Sequence, residues 1–468
     1  MTKEIIGKNF ELSEKSLQGI YHEIQQVYLN YSFPWVIGYS GGKDSTTALQ
    51  LIWYAISMLP VESRTNPVYV ISSDTLVETP VIVDYITETL KKINLQAQIE
   101  TMPFTAQKLS PQITDTFWVN LIGRGYPAPN NLFRWCTDRL KIQPSNRFIL
   151  NKVAEHGEVI LVLGIRQGES ATRDQVINMH RVRGYQLARH GQLPGAWVFM
   201  PIEQFSTDDV WKYLLQVPSP WGSDNRNLAS LYRSAQSGEC PLVIDKTTPS
   251  CGNSRFGCWT CTVVGRDRSM EAMIDSGEEW MIPLLEFRDW LSSTQDPNVK
   301  PQQREFKGRD GKVRFTGSGE VLYRTYTPSF SQTMLRKLLI TQVEINKLKP
   351  DYELISLQEL KEIRRLWITE RQMWGDPLPI IYKEVTGDDV NWEIEEIAIP
   401  GATEAEILNQ ITQEQGLPMR LLQKLIDTEW QHYGMRRRAS IHSRIEKILS
   451  EEWRSLDEVK SETNSDSI

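Results

Sequence analysis

Gly38-Tyr39-Ser40-Gly41-Gly42-Lys43-Asp44-Ser45-Thr46 follows the apolar run Trp35-Val36-Ile37 and precedes a segment, Thr47 to Leu59, that is apolar at helical spacing. A strand that ends in paired glycines and turns into a helix is built to hold an anion. Gly41 and Gly42 can adopt backbone angles closed to other residues, so consecutive N–H groups can turn inward. A helix starting near Ser45 adds its positive end, and Lys43 adds a full charge. The spacing is not that of the Walker loop, whose first glycine stands further from Gly-Lys-Ser/Thr. Ser40, Gly41, Gly42, Lys43, Asp44 and Ser45 are therefore the candidate phosphate contacts.

Outward from this loop the chain alternates strand and helix. A first helix spans roughly Leu12 to Leu29. Val68 to Ile71 reads as a buried strand leading into Ser72-Ser73-Asp74-Thr75, Pro80 to Ile93 as a helix, and Ala97 to Thr101 as a short strand. Val159 to Leu163 is another strand, followed by Gly164-Ile165-Arg166. Buried strands alternating with amphipathic helices predict an α/β fold, a parallel sheet with helices on both faces. Ligands of such sheets sit at the strands' carboxyl ends, which places the loop, Asp74 and Arg166 on one edge.

The loop resembles the PP-loop of ATP pyrophosphatases, which cut ATP to AMP and pyrophosphate and adenylate a substrate oxygen. That resemblance implies an adenine nucleotide alpha hydrolase-like sheet. Ser73-Asp74-Thr75-Leu76-Val77-Glu78-Thr79-Pro80 is similar to the Asp-Thr-Gly-x-Glu-x-Pro segment of the phosphoadenylyl-sulfate (PAPS) reductase branch, with Leu76 where glycine is usual. Gly164 to Arg173 resembles its Gly-x-Arg-x-x-Glu-Ser-x-x-Arg, and Pro201-Ile202-Glu203 followed by Asp209-Val210-Trp211 its closing segment. Arg166 and Arg173 are donors suited to phosphate or sulfonate oxygens, and Asp74 suits a magnesium ion or ribose. Phe133-Arg134-Trp135-Cys136-Thr137-Asp138-Arg139-Leu140-Lys141 resembles the branch's Cys-x-x-x-Lys segment, with Lys141 one residue late. There the cysteine ligates an iron–sulfur cluster or faces the substrate. Arg134, Arg139 and Lys141 are expected to lower the Cys136 thiol pKa. The resemblance implies catalytic roles for Lys43, Asp44, Asp74, Cys136 and Arg166, with ATP and Mg2+ bound.

The other cysteines, Cys240, Cys251, Cys258 and Cys261, crowd together with no histidine among them. An odd count of five in a chain of this size argues for metal or thiol chemistry over a disulfide framework. Four thiolates suit a [4Fe–4S] cluster, with zinc second. Cys136 could replace Cys240 as a ligand. Cys251-Gly252-Asn253-Ser254-Arg255-Phe256-Gly257-Cys258-Trp259-Thr260-Cys261-Thr262 resembles the signature of the DndC proteins, the ATP-pyrophosphatase, iron–sulfur components of bacterial DNA phosphorothioation. Membership would imply activation of a DNA backbone phosphate oxygen by ATP and its replacement by sulfur. It would also imply a cysteine desulfurase and DndD- and DndE-type proteins as partners. A sulfonucleotide reductase carries a late Glu-Cys-Gly-x-His motif, whereas here no cysteine follows Cys261 and Glu239-Cys240-Pro241 is the nearest echo. A tRNA thiolase and a non-catalytic nucleotide-binding scaffold are the other readings.

At 468 residues the chain exceeds one ordinary core. The expected organisation is a pyrophosphatase domain over 1–215, a Cys-rich insert over 216–300, a basic hairpin and mainly helical region over 301–454, and a disordered tail from 455. Net charge −7 argues against a generally basic nucleic-acid binder, so DNA contact would come from a local patch. Lys312 to Thr316 and Glu320 to Arg324 flank Gly317-Ser318-Gly319 as a basic hairpin, the best such candidate. Ser356-x-x-Glu359 and Thr403-x-x-Glu406 read as capping boxes, and Ile441, Ile445 and Ile448 mark a late amphipathic helix. Arg436-Arg437-Arg438 is a second basic run. The N-terminus lacks a signal-peptide layout, so the expected location is the cytoplasm.

Overall fold

Trp35-Val36-Ile37 becomes the central strand β1 (Trp35–Gly38) of a six-stranded sheet in the computed structural model, which describes residues 13–167, 187–235, 257–350, 352–392, 402–433, 438 and 440–465. The chain divides into two compact units: Met1–Gln112 with Phe133–Met281, and Ile113–Leu132 with Ile282–Ile468.

In the first unit the strands are β2 (Val68–Ser73), β3 (Phe104–Leu109), β4 (Val159–Val162), β5 (Ala188–Arg189) and β6 (Ala196–Phe199), ordered β3-β2-β1-β4-β6-β5. All pairings are parallel except the β5–β6 edge. Alternation along β1 sends side chains to both faces. Val36 joins Ile71, Val159 and Leu161 under Ile149 of a helix at Gln143–His156. Trp35 points the other way, edge-on to Tyr28 of α1 (Glu14–Asn30) at 5.7 Å. Helices thus cover both faces, as the apolar strands require.

Helix α2 (Lys43–Ser57) follows the loop and is buried along nearly its whole length. Helix α3 (Pro80–Ile99) starts with proline at its first turn, where the missing N–H costs nothing. The strand expected over Ala97–Thr101 is absent. Helix α3 runs through Ile99 instead, and Asn94 side-chain bonds to the N–H and C=O of Ala106 tie its end to β3. The sheet order reverses at β1, because β2 and β3 lie on one side and β4 and β6 on the other. The crevice beyond the carboxyl ends of β1 and β4 is therefore the switch point where ligands bind.

The second unit is helical, with a small irregular meander. Residues 113–132 leave the first unit's sequence and enter this core: Phe117, Trp118, Val119, Leu121 and Ile122 are all buried. Trp118 donates to the Leu354 carbonyl, while Trp367 and Arg371 donate to that of Ile122. The sequence reading keeps this segment within residues 1–215, whereas it packs with the helical unit. Helix Leu357–Thr369 has its capping box at Ser356 and Glu359. Thr403 lies inside helix Ala402–Gln415 rather than at its cap. The tail expected to be disordered holds a helix, Leu456–Ser465, whose first turn is capped by Ser455 and Glu458. Local capping supplied what apolar content did not. Arg436 and Arg437 lie outside the described residues. No helix among the described residues is long and apolar enough to cross a membrane.

One half-buried acid in this unit, Asp427, yields a pH prediction. Burial pushes Asp427 up to about 6, against hydrogen bonds from Gln372 and Trp374 that favour ionisation. One of its carboxylate oxygens has no partner among the described residues. Because the folded pKa lies above the unfolded one, the unfolded state releases its proton first, and stability falls as pH rises from about 4 to about 6. Asp427→Asn should remove this loss and stabilise the protein by about 1–2 kcal/mol at pH 7.5, after allowance for partial exposure. It should have little effect at pH 4. Urea midpoints at the two pH values measure it, and equal shifts at both would contradict it.

Candidate active site at the carboxyl edge of the sheet

Gly41 has φ +72°, and a Cβ there would stand 2.9 Å from the Ile86 side chain, so both conformation and space require glycine. Ser40 and Ser45 clamp the loop: the Ser40 N–H donates to Ser45 Oγ at 3.2 Å, and the two hydroxyls lie 3.0 Å apart. Gly42 occupies the N-cap of α2 and offers no side chain to its N–H groups, so the helix's positive end backs the loop without a side-chain cap.

Lys43 Nζ lies 2.7 Å from Asp44 Oδ2, and Asp44 Oδ1 accepts from Arg166 Nε at 2.7 Å. Arg166 arrives from the far side of the switch point, after β4, is 5% exposed, and donates also to Thr207 Oγ1. The loop's carboxylate is therefore held by two cations, leaving a net positive group in the crevice. Gly164 makes the approach possible. A Cβ there would lie 2.8 Å from the Asp44 carbonyl carbon and oxygen and 2.9 Å from the Ser45 nitrogen, all backbone. Gly164→Ala should thus cost about 1–3 kcal/mol through overpacking and shift the first turn of α2. Chemical denaturation and nucleotide titration of the variant would show both losses, and a neutral result in each would contradict this packing.

Asp74 sits just past β2. Its Oδ1 accepts from the Leu76 N–H at 3.1 Å, and its Oδ2 pairs with Lys108 of β3 at 2.9 Å. Leu76 is left-handed, φ +63°, which accounts for glycine being usual at that position. Lys108 escaped the sequence reading because its strand was placed elsewhere. Thr207 and Tyr232 carry no motif and were missed as well.

The same segment anchors the thiols. Glu78 bridges Cys258 in antiparallel fashion, Trp259 donates to the Val77 carbonyl, and the Thr79 N–H and hydroxyl both donate to the Gly257 carbonyl. Thr75 Oγ1 lies 3.3 Å from Cys258 Sγ. Lys141 pairs with Glu78 at 3.2 Å, and burial holds the Glu78 carboxyl above its usual range despite that partner. Burial pushes the Cys258 thiol up to about 12, opposed by Lys141. Cys136 interacts electrostatically with both Cys261 and Cys258, which brings the early cysteine to the late pair.

The expectation of a lowered Cys136 pKa is corrected. Burial, then the neighbouring Cys261, raises it, and Arg134 is exposed to solvent. Arg173, Cys240 and Cys251 lie outside the described residues. Among the described residues no group of three or more His, Cys, Asp or Glu side chains is arranged to hold a metal. Cys136, Cys258 and Cys261 are nonetheless soft donors that suit a thiophilic metal, and they would have to lose their protons to bind one.

Residues 34–264 match the model of the phosphoadenosine phosphosulfate reductase domain. The chain carries a PAPS reductase-like domain. The matched stretch begins at the residue before β1 and extends past Cys261, so it includes the loop, Asp74, Arg166 and all five cysteines. The chain is 25% identical over 198 residues, 42% of its length, to the uncharacterized protein MJ0066 of Methanocaldococcus jannaschii. The match spans only about a third (35%) of that protein's length. Among solved structures the chain is similar to the PAPS reductase of Candida auris in a phosphate complex, at 16% identity and TM-score 0.28, covering 48% of this chain and 95% of that one. A second is the FMN adenylyltransferase of Candida glabrata with FAD and inorganic pyrophosphate, at 14% identity and TM-score 0.27, covering 44% and 61%.

Proposed function

We propose that this chain is an ATP-dependent sulfurtransferase of DNA phosphorothioation. It would cut ATP to AMP and pyrophosphate, adenylate a DNA backbone phosphate oxygen, and allow sulfur to take that oxygen's place as AMP departs. The observation that carries the reading is the double use of residues 74–79: Asp74 faces the nucleotide edge, and Thr75 to Thr79 hold Cys258. Nucleotide and thiols then share one sheet edge, as coupled activation and sulfur transfer require.

In this reading the loop N–H groups and the end of α2 bind the phosphates. Lys43 and Arg166 neutralise charge that develops as pyrophosphate leaves, and Asp74 would hold Mg2+. Cys251, Cys258 and Cys261, with Cys240 or Cys136 as the fourth ligand, would hold a [4Fe–4S] cluster, which supplies a thiophilic iron centre when bound. A cysteine desulfurase would furnish sulfur, and DndD- and DndE-type proteins would present the duplex.

The basic hairpin is a weaker DNA surface than its composition suggests. It forms by the Thr316–Glu320 and Leu322–Arg314 backbone bonds, but Arg314 pairs with Asp310, Arg309 lies over Tyr126, and Arg304 is buried. Lys312 remains exposed. Isolated binding should therefore be weak and steeply salt-dependent. The test is chemical: genomic DNA from cells with the complete system is digested and searched for sulfur-containing dinucleotides by mass spectrometry. The signal should vanish with the Lys43→Ala chain. Its persistence, or sulfur label in tRNA instead, would overturn the DNA assignment.

A further inference from the structure

Tyr232 reaches the phosphate loop from a helix, Asn225–Ala235, that carries no recognised motif. Its hydroxyl oxygen accepts the Lys43 N–H at 3.2 Å and lies 3.1 Å from where a Cβ on Gly42 would stand. The ring is set by Trp211, edge-on at 5.2 Å, and Lys43 Nζ lies 5.8 Å from its centroid. That Nζ is itself bonded to Asp44. A backbone donor suited to a phosphate oxygen is thus held by a phenol, and the ammonium beside it by a carboxylate.

We propose that Tyr232 is a gate on the phosphate loop, its hydroxyl holding the Lys43 N–H until a nucleotide phosphate displaces it. The proposal rests on the phosphate-binding reading of the loop given above. The exchange is chemically downhill for the right ligand. Burial pushes the phenol up to about 12, so it stays a neutral acceptor, whereas a phosphate oxygen is charged and accepts about twice as strongly. A neutral ligand gains no such advantage, so the gate favours polyanions over nucleosides. Trp211 fixes the ring rather than the oxygen, so removing the oxygen should leave the helix in place.

The test compares the full-length chain with Tyr232→Phe, which retains the ring and loses only the competing oxygen. Calorimetric titration with ATP and with inorganic pyrophosphate should give a Kd lower by about two- to tenfold in the variant, the worth of one net hydrogen bond. In the exchange assay KM for ATP should fall with kcat unchanged, and thermal unfolding should match the parent. Amide hydrogen exchange at Lys43 should be faster in the ligand-free variant, a local reading of the same contact that does not depend on affinity. Equal or weaker binding by a folded variant overturns the gate alone, the weaker result marking the hydroxyl as a phosphate ligand. Failure of both proteins to bind either probe overturns the phosphate-loop reading and the gate with it.

Discussion

Lys43→Ala is expected to abolish measurable ATP–pyrophosphate exchange while leaving the fold intact. In the proposed reading the ammonium would contribute one charge-assisted contact to phosphate, worth roughly 1.5–3 kcal/mol, or about ten- to a hundredfold in binding. The larger loss would fall on turnover, because charge on a departing pyrophosphate grows in the transition state and a fixed cation acts most strongly there. The geometry explains why stability should be spared. Asp44 keeps its bond to buried Arg166 when Lys43 is gone, so no buried carboxylate is left without a cation. Arg166→Ala should behave differently, losing stability as well as activity, since it removes the link between the two sides of the switch point. Exchange rates and unfolding midpoints of both variants distinguish the two. Equal destabilisation by each would show that Lys43 has a structural role.

If the proposed cluster forms, Cys258→Ser should remove its iron altogether. Anaerobically purified parent protein should be brown with about four irons per chain, and the variant colourless. Serine preserves the hydrogen bond to Thr75 and the bridge to Glu78, so loss of iron would report on ligation rather than on packing. Cys136→Ser then decides between two roles: iron lost makes Cys136 a ligand, and iron retained with activity lost makes it a sulfur carrier. One zinc and no iron in the parent would overturn the cluster assignment.

The strands that decide the sheet were legible because β1, β2 and β4 are buried on both faces and read as unbroken apolar runs. Strand β3 was not, since Phe104-Thr105-Ala106-Gln107 is half polar and the preceding helix carries its apolar spacing past Leu95. Losing β3 also lost Lys108, the partner that neutralises Asp74. Glycine patterning disclosed the loop, but the contact of Gly164 against the backbone of Asp44 arises only where the turn after β4 meets the first turn of α2. Tyr232, far along the chain, bears no local mark of its place beside Lys43. The basic stretch after Arg304 misled for a related reason. Counting charges ignores their partners, and Asp310 and Tyr126 engage two of those arginines.

In the proposed function this loop directs cleavage between the α and β phosphates of ATP. Incubating the purified chain with α-labelled ATP and separating the products tests it most directly. Labelled AMP with release of pyrophosphate is expected, and loss of both in Lys43→Ala. Labelled ADP with release of inorganic phosphate would contradict it.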